Sequence, residues 1–147
     1  MRHRHASTPV AAEGAARTHA ASGTEDHSFD HRSKRCTVNK SSLTALARQQ
    51  VKAALVATSG RSAHTVYGGH EHVLRQTLIA LAAGRELDDH ENPGEATVHV
   101  LHGRVSLRCG DDTWEGSPGD LLIVPDARHS LHALEDSAVL LTVAKTL

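Results

Sequence analysis

The chain has 147 residues, a length that suits one domain. Its 16 Lys and Arg against 17 Asp and Glu leave a net charge of −1, with no whole-chain attraction to nucleic acid or to an anionic membrane. A single Phe, Tyr and Trp argue against a base-stacking surface, whereas 13 histidines need a reason, because imidazole is both a metal ligand and an acid or base near neutrality.

Residues 1–40 contain no Leu or Ile and are dominated by Ala, Ser, Thr, Gly, His and charge. Such a segment buries too little apolar surface to offset the entropy of ordering it, and we read it as a disordered low-complexity tail. It carries seven basic and four acidic residues, against nine and thirteen in 41–147. Five histidines fall here (His3, His5, His19, His27 and His31), widely spaced and read as solvated. No apolar stretch of signal-peptide or membrane-span length follows Met1. Cys36 and Cys109 set no disulfide framework and read as free thiols, so a cytoplasmic protein is expected.

Residues 41–60 read as a helix. Leu43, Leu46, Ala47, Val51, Ala54 and Leu55 recur at three- and four-residue steps, Ser41 or Ser42 supplies a cap, and Gly60 marks the far end. Residues 61–147 read as strands at 63–67, 72–82, 96–102, 104–109, 112–115, 120–124, 129–135 and 138–144, separated by Gly and Pro turns. Many short strands with no βαβ unit predict an all-β sandwich or barrel. Parity places Ala96, Val98 and Val100 on one inward face, with Thr97 and His99 outward. It likewise turns His129, Leu131 and Ala133 inward and His132 outward, while the apolar run from 72 leaves its face undecided. Trp114 is assigned to core or dimer packing and Cys109 to an inert buried thiol. Gly68-Gly69 lacks the residues of a phosphate loop, and no Gly-x-Ser-x-Gly elbow signals a serine nucleophile.

Gly84 is followed after five residues by His90, and Gly103 closes the segment Val100-Leu101-His102-Gly103. Further on, Gly119-Asp120 leads to Pro125 and His129, with a short spacer, 104–118, between the two blocks. This pattern resembles the two motifs of the cupin superfamily over residues 61–147. The resemblance implies a jelly-roll β-barrel preceded by the helix, and a homodimer.

In a metal-binding cupin the ligands are two histidines and a glutamate of the first motif and a histidine of the second. Here His90 and His129 hold the outer positions, Asn92 stands at the second histidine position, and Ala96 stands at the acidic one beside Glu95. His129 comes one residue early, with Ala127 for the motif glycine and Ala133 for the asparagine. His90 and His129 are therefore the two candidates to meet inside the barrel, with Asn92, Glu95, His72 and His70 as helpers toward a divalent transition metal (Zn, Fe, Mn or Ni). Two imidazoles and an amide fall short of the three or four strong ligands that tight binding needs, so a metal-free pair lining a pocket stays open beside the metal site. The expected function is binding of a small molecule in the barrel, with an incomplete or non-standard metal site. The alternatives are a metal-dependent dioxygenase or isomerase and a non-enzymatic sensor or stress-response module, and no nucleic acid or membrane partner is expected.

Overall fold

The computed structural model describes residues 36–91 and 94–145. The predicted tail and its five histidines thus fall almost wholly outside the described residues, as does Asn92. Contacts divide the chain between Thr37 and Val38, and the helix and strands all lie in the second unit.

Helix α1 spans Leu43–Val56, with Ser42 as N-cap, its hydroxyl accepting from the Ala45 N–H at 3.2 Å. The helix stops earlier than Gly60: Ala57 is already extended, and Gly60, at φ +65°, serves the turn into the first strand instead. Nine strands follow: β1 Arg61–Tyr67, β2 Leu74–Leu81, β3 Glu86–His90, β4 Gly94–His102, β5 Val105–Cys109, β6 Asp112–Gly116, β7 Leu121–Ile123, β8 His129–Ala133 and β9 Ser137–Lys145. They form two antiparallel sheets, ordered β1-β2-β9-β4-β7 and β3-β8-β5-β6, the jelly-roll arrangement expected.

Alternation of side chains along each strand builds the interior. Ala96, Val98 and Val100 of β4 and Val139 and Val143 of β9 meet Val105, Leu107, Leu131 and Ala133 of the other sheet. The outer face of the five-stranded sheet is covered by α1, whose Ala47 and Ala54 pack on Leu78, Ala80 and Ala138. Small residues on both sides let the helix lie close to the sheet. This covering explains why the sequence from 72 to 82 is apolar on both parities: Leu78 and Ala80 lie under α1, while Ile79 and Leu81 face the interior. A buried polar tie holds the helix in place, Ser62 Oγ of β1 donating to Gln50 Oε1.

Two turns depend on glycine. Gly103, between β4 and β5, adopts φ +75°, and a Cβ there would lie 2.2 Å from the Asp136 carbonyl oxygen. Gly94, which opens β4, lies against β9 so closely that a Cβ would meet the Ala144 oxygen at 2.0 Å.

Three expectations change. Strand β3 was not predicted, because Glu86-Leu87-Asp88-Asp89-His90 holds one apolar residue and two aspartates, which strands disfavour. It forms because Leu87 is paired with Leu131 of β8 and packs on the core. Trp114 is no core residue: it is 48% exposed on β6, the edge of its sheet. Cys109 is half-buried rather than buried, and both Cys36 and Cys109 are free. Among the described residues, no helix is long and apolar enough to cross a membrane.

Candidate functional site

Strands β3 and β8 bring His90 and His129 opposite one another, as a register pair beyond an irregularity that follows Leu87. Their ring centroids are 4.5 Å apart at an interplanar angle of 62°, an edge-to-face contact. His129 is buried at 4% exposure, whereas His90 is exposed, so the pair spans from the interior to the surface.

Each ring is fixed the same way. His90 Nδ1 lies 2.8 Å from the Asp88 carbonyl oxygen, and His129 Nδ1 lies 2.8 Å from that of Ala127. A carbonyl oxygen only accepts, so each Nδ1 carries the hydrogen and donates it. In the neutral imidazole this leaves the lone pair on Nε2. Two adjacent rings therefore offer acceptor nitrogens in set orientations, the arrangement by which backbone carbonyls prepare imidazoles for a ligand or metal.

Both rings border one interior cavity with Ile79, Leu87, Val98, Leu107, Val124, Leu131, Val139 and Leu141. The space open to the centre of a water molecule is about 20 Å³, room for about one water. Apart from the two histidines its wall is wholly aliphatic. Among the described residues, the space bordered by this pair is therefore small.

Of the helpers, the described ones, Glu95, His72 and His70, do not join the pair. Glu95 is exposed, on the face of β4 opposite to the inward Ala96. His72 is exposed before β2, its ring edge-on to Tyr67 with centroids 5.2 Å apart, and His70 is exposed as well. Among the described residues no three His, Cys, Asp or Glu side chains gather to hold a metal ion. The described residues therefore fit a two-imidazole contact and not a three-ligand metal centre. The parity that turned His129 inward agrees with its burial, and His132 lies on the other face.

That other face holds a grouping the sequence reading missed. His132 Nδ1 is 2.8 Å from Glu86 Oε2, and its Nε2 is 2.9 Å from Ser130 Oγ. These three line an open polar groove of about 590 Å³ with Asp88, Asp89, Arg108, Gly110 and Arg128. The signal was the alternation Ser130-x-His132, legible only once β3 was known to be a strand.

Comparison with known proteins agrees with this fold. Residues 77–144 match the family described as Cupin domain. No curated protein matches the chain. Among solved structures, a conserved protein of unknown function from Streptococcus pyogenes is 26% identical with a TM-score of 0.56, covering 62% of this chain and 79% of its own. An RmlC-like cupin protein from Desulfovibrio desulfuricans is 26% identical with a TM-score of 0.51, over 57% and 81% of the two chains. A salicylate 1,2-dioxygenase from Pseudaminobacter salicylatoxidans shares the fold at 19% identity and a TM-score of 0.57, over 68% of this chain and 33% of its own. The matched segment runs from inside β2 to inside β9, with the motif residues at the strand ends, so the cupin domain match falls on the sheets that hold the paired histidines.

Proposed function

We propose that this cupin domain binds a small polar molecule at the mouth of its barrel, through the paired imidazoles of His90 and His129. The observation that carries this reading is the common anchoring of both rings, Nδ1 to a backbone carbonyl and Nε2 left as acceptor. With space for about one water behind the pair, only a small head group or a bridging water enters the interior, and the rest of the ligand lies toward exposed His90. A divalent metal would be held by the same two nitrogens as a non-standard site, with Asn92, Glu95 and His72 as the candidates to complete it. Nothing about this histidine pair favours catalysis over binding. A homodimer is part of this reading, supported by the exposed outer face of edge strand β7, where Leu121 and Ile123 are 57% and 70% exposed. So is a reducing, cytoplasmic setting, supported by two free thiols.

The test is calorimetric titration of the full chain with Zn²⁺ and Ni²⁺, alongside a thermal-shift panel of small polar molecules. We expect metal to bind weakly and to be removed by a mild chelator, and His90→Ala and His129→Ala each to abolish both metal binding and the panel's hits. Stoichiometric metal that survives the chelator overturns the two-imidazole site. Hits that persist in both variants overturn the barrel mouth as the binding place.

A further inference from the structure

The geometry points to a second site, on the outer face of the four-stranded sheet: Ser130, His132 and Glu86 form a nucleophile–base–acid relay that acts on small polar carboxylic esters. The relay is built by strand geometry. Ser130 and His132 stand two residues apart on β8 and therefore share a face, and the register of β3 sets Glu86 directly opposite His132. The distances are 2.9 Å from Ser130 Oγ to His132 Nε2 and 2.8 Å from His132 Nδ1 to Glu86 Oε2.

Because a carboxylate only accepts, the neutral His132 carries its hydrogen on Nδ1, and Nε2 accepts from the serine hydroxyl. That is the tautomer in which an imidazole serves as general base to a serine. The surroundings suit a ligand better than a purely structural bond. Ser130 is 7% exposed yet borders the open groove, Arg108 is its cross-strand register partner, and Arg128 lines the same groove. Arg108, as the register neighbour of Ser130 on this groove, is the cation that would take charge developing on a carbonyl oxygen there. The polar lining, which includes Asp88 and Asp89 as well as the arginines, selects short polar esters over fatty ones.

In the step itself Ser130 Oγ bonds to the ester carbonyl carbon while its proton passes to His132 Nε2. The carbonyl re-forms as the carbon–alkoxide bond breaks, and the alcohol leaves with that proton. Water then repeats the sequence on the acyl-serine, releasing the carboxylic acid and restoring the hydroxyl.

The experiment treats the full chain with a fluorophosphonate probe, in which the Oγ–P bond forms as fluoride leaves, and in parallel with p-nitrophenyl acetate. We expect one adduct by intact mass, mapped to Ser130, with p-nitrophenolate release that Ser130→Ala abolishes. Since Ser130 is buried, the half-buried Glu86→Gln provides the second arm: its folding is checked by circular dichroism, and its labelling rate should fall by at least about tenfold, because the amide favours the wrong imidazole tautomer. His132→Ala should slow labelling by about 10²–10⁴-fold and remove the rise of rate with pH that a general base imposes. Failure to label Ser130, labelling at another residue alone, or a Ser130 rate unchanged in folded Glu86→Gln and His132→Ala overturns the relay.

Discussion

Replacing Leu131 by alanine tests how tightly the interior beside the histidines is packed. Leu131 is 3% exposed and lies two residues beyond His129 on the inner face of β8. It is paired across the sheet with Leu87 on one side and Leu107 on the other, and with them it lines the void beside the histidines. Large-to-small changes in such cores cost about 2–5 kcal/mol, rising with the volume that cannot collapse. Here the neighbours are held by strand pairing on both flanks, so little collapse is available and we expect about 3–4 kcal/mol. That corresponds to a fall in Tm of about 12–20 °C for a domain of this size. Urea unfolding followed by circular dichroism checks it, with the midpoint lowered and the slope unchanged. The enlarged, aliphatic cavity should also bind benzene or xenon, as dry engineered cavities do, and recover part of the loss. A loss below about 1 kcal/mol refutes this close packing, because it means the side chain was not tightly packed in the first place. Uptake of the apolar probe by the unaltered chain refutes it as well.

Two further outcomes follow from backbone geometry. Gly103→Ala places a side chain at φ +75° and drives its Cβ against the Asp136 carbonyl and Ser137, so stability should fall by at least about 2 kcal/mol in thermal or urea unfolding. Ser42→Ala removes the acceptor for the Ala45 N–H and should cost about 1 kcal/mol, with the barrel's near-ultraviolet signal unchanged below the transition.

Hydrophobic alternation made most of the fold legible. Strands β4, β5 and β9 could be read directly, because one parity is apolar and the other is polar or small except at Leu101 and Leu140. The apolar face of β2 was ambiguous for a physical reason, since α1 covers one side and the core the other. Strand β3 was illegible because its sequence is acidic and short, and its conformation is imposed by pairing with β8 rather than by its own residues. At the site, motif spacing brought out His90 and parity turned His129 inward, and the two do meet. Motif position also drew in Glu95, but the strand that carries it turns it to the opposite face from Ala96. Proximity in sequence to a ligand position says nothing about direction when side chains alternate. The Ser130–His132–Glu86 grouping was hidden for the same reason that β3 was: a relay assembled across two strands has no local motif.

Both candidate sites rest on the β3–β8 pair, on its two faces, His90 with His129 inside and Glu86 with His132 outside. They cannot share one ligand, because the sheet lies between them, but they share a register. β3 is an edge strand bonded only to β8, and its aspartates and glutamate are the charges by which exposed edges resist further pairing. A slip of one residue along β8 would exchange faces, turning His90 away from His129 and Glu86 away from His132 together. Leu87 opposes that slip, since it is the inward residue of β3 that packs on the core. Leu87→Ser, which removes that anchor, should therefore weaken metal binding at the inner pair and phosphonylation at Ser130 in parallel. If one is lost while the other is intact, the two faces do not depend on a common register.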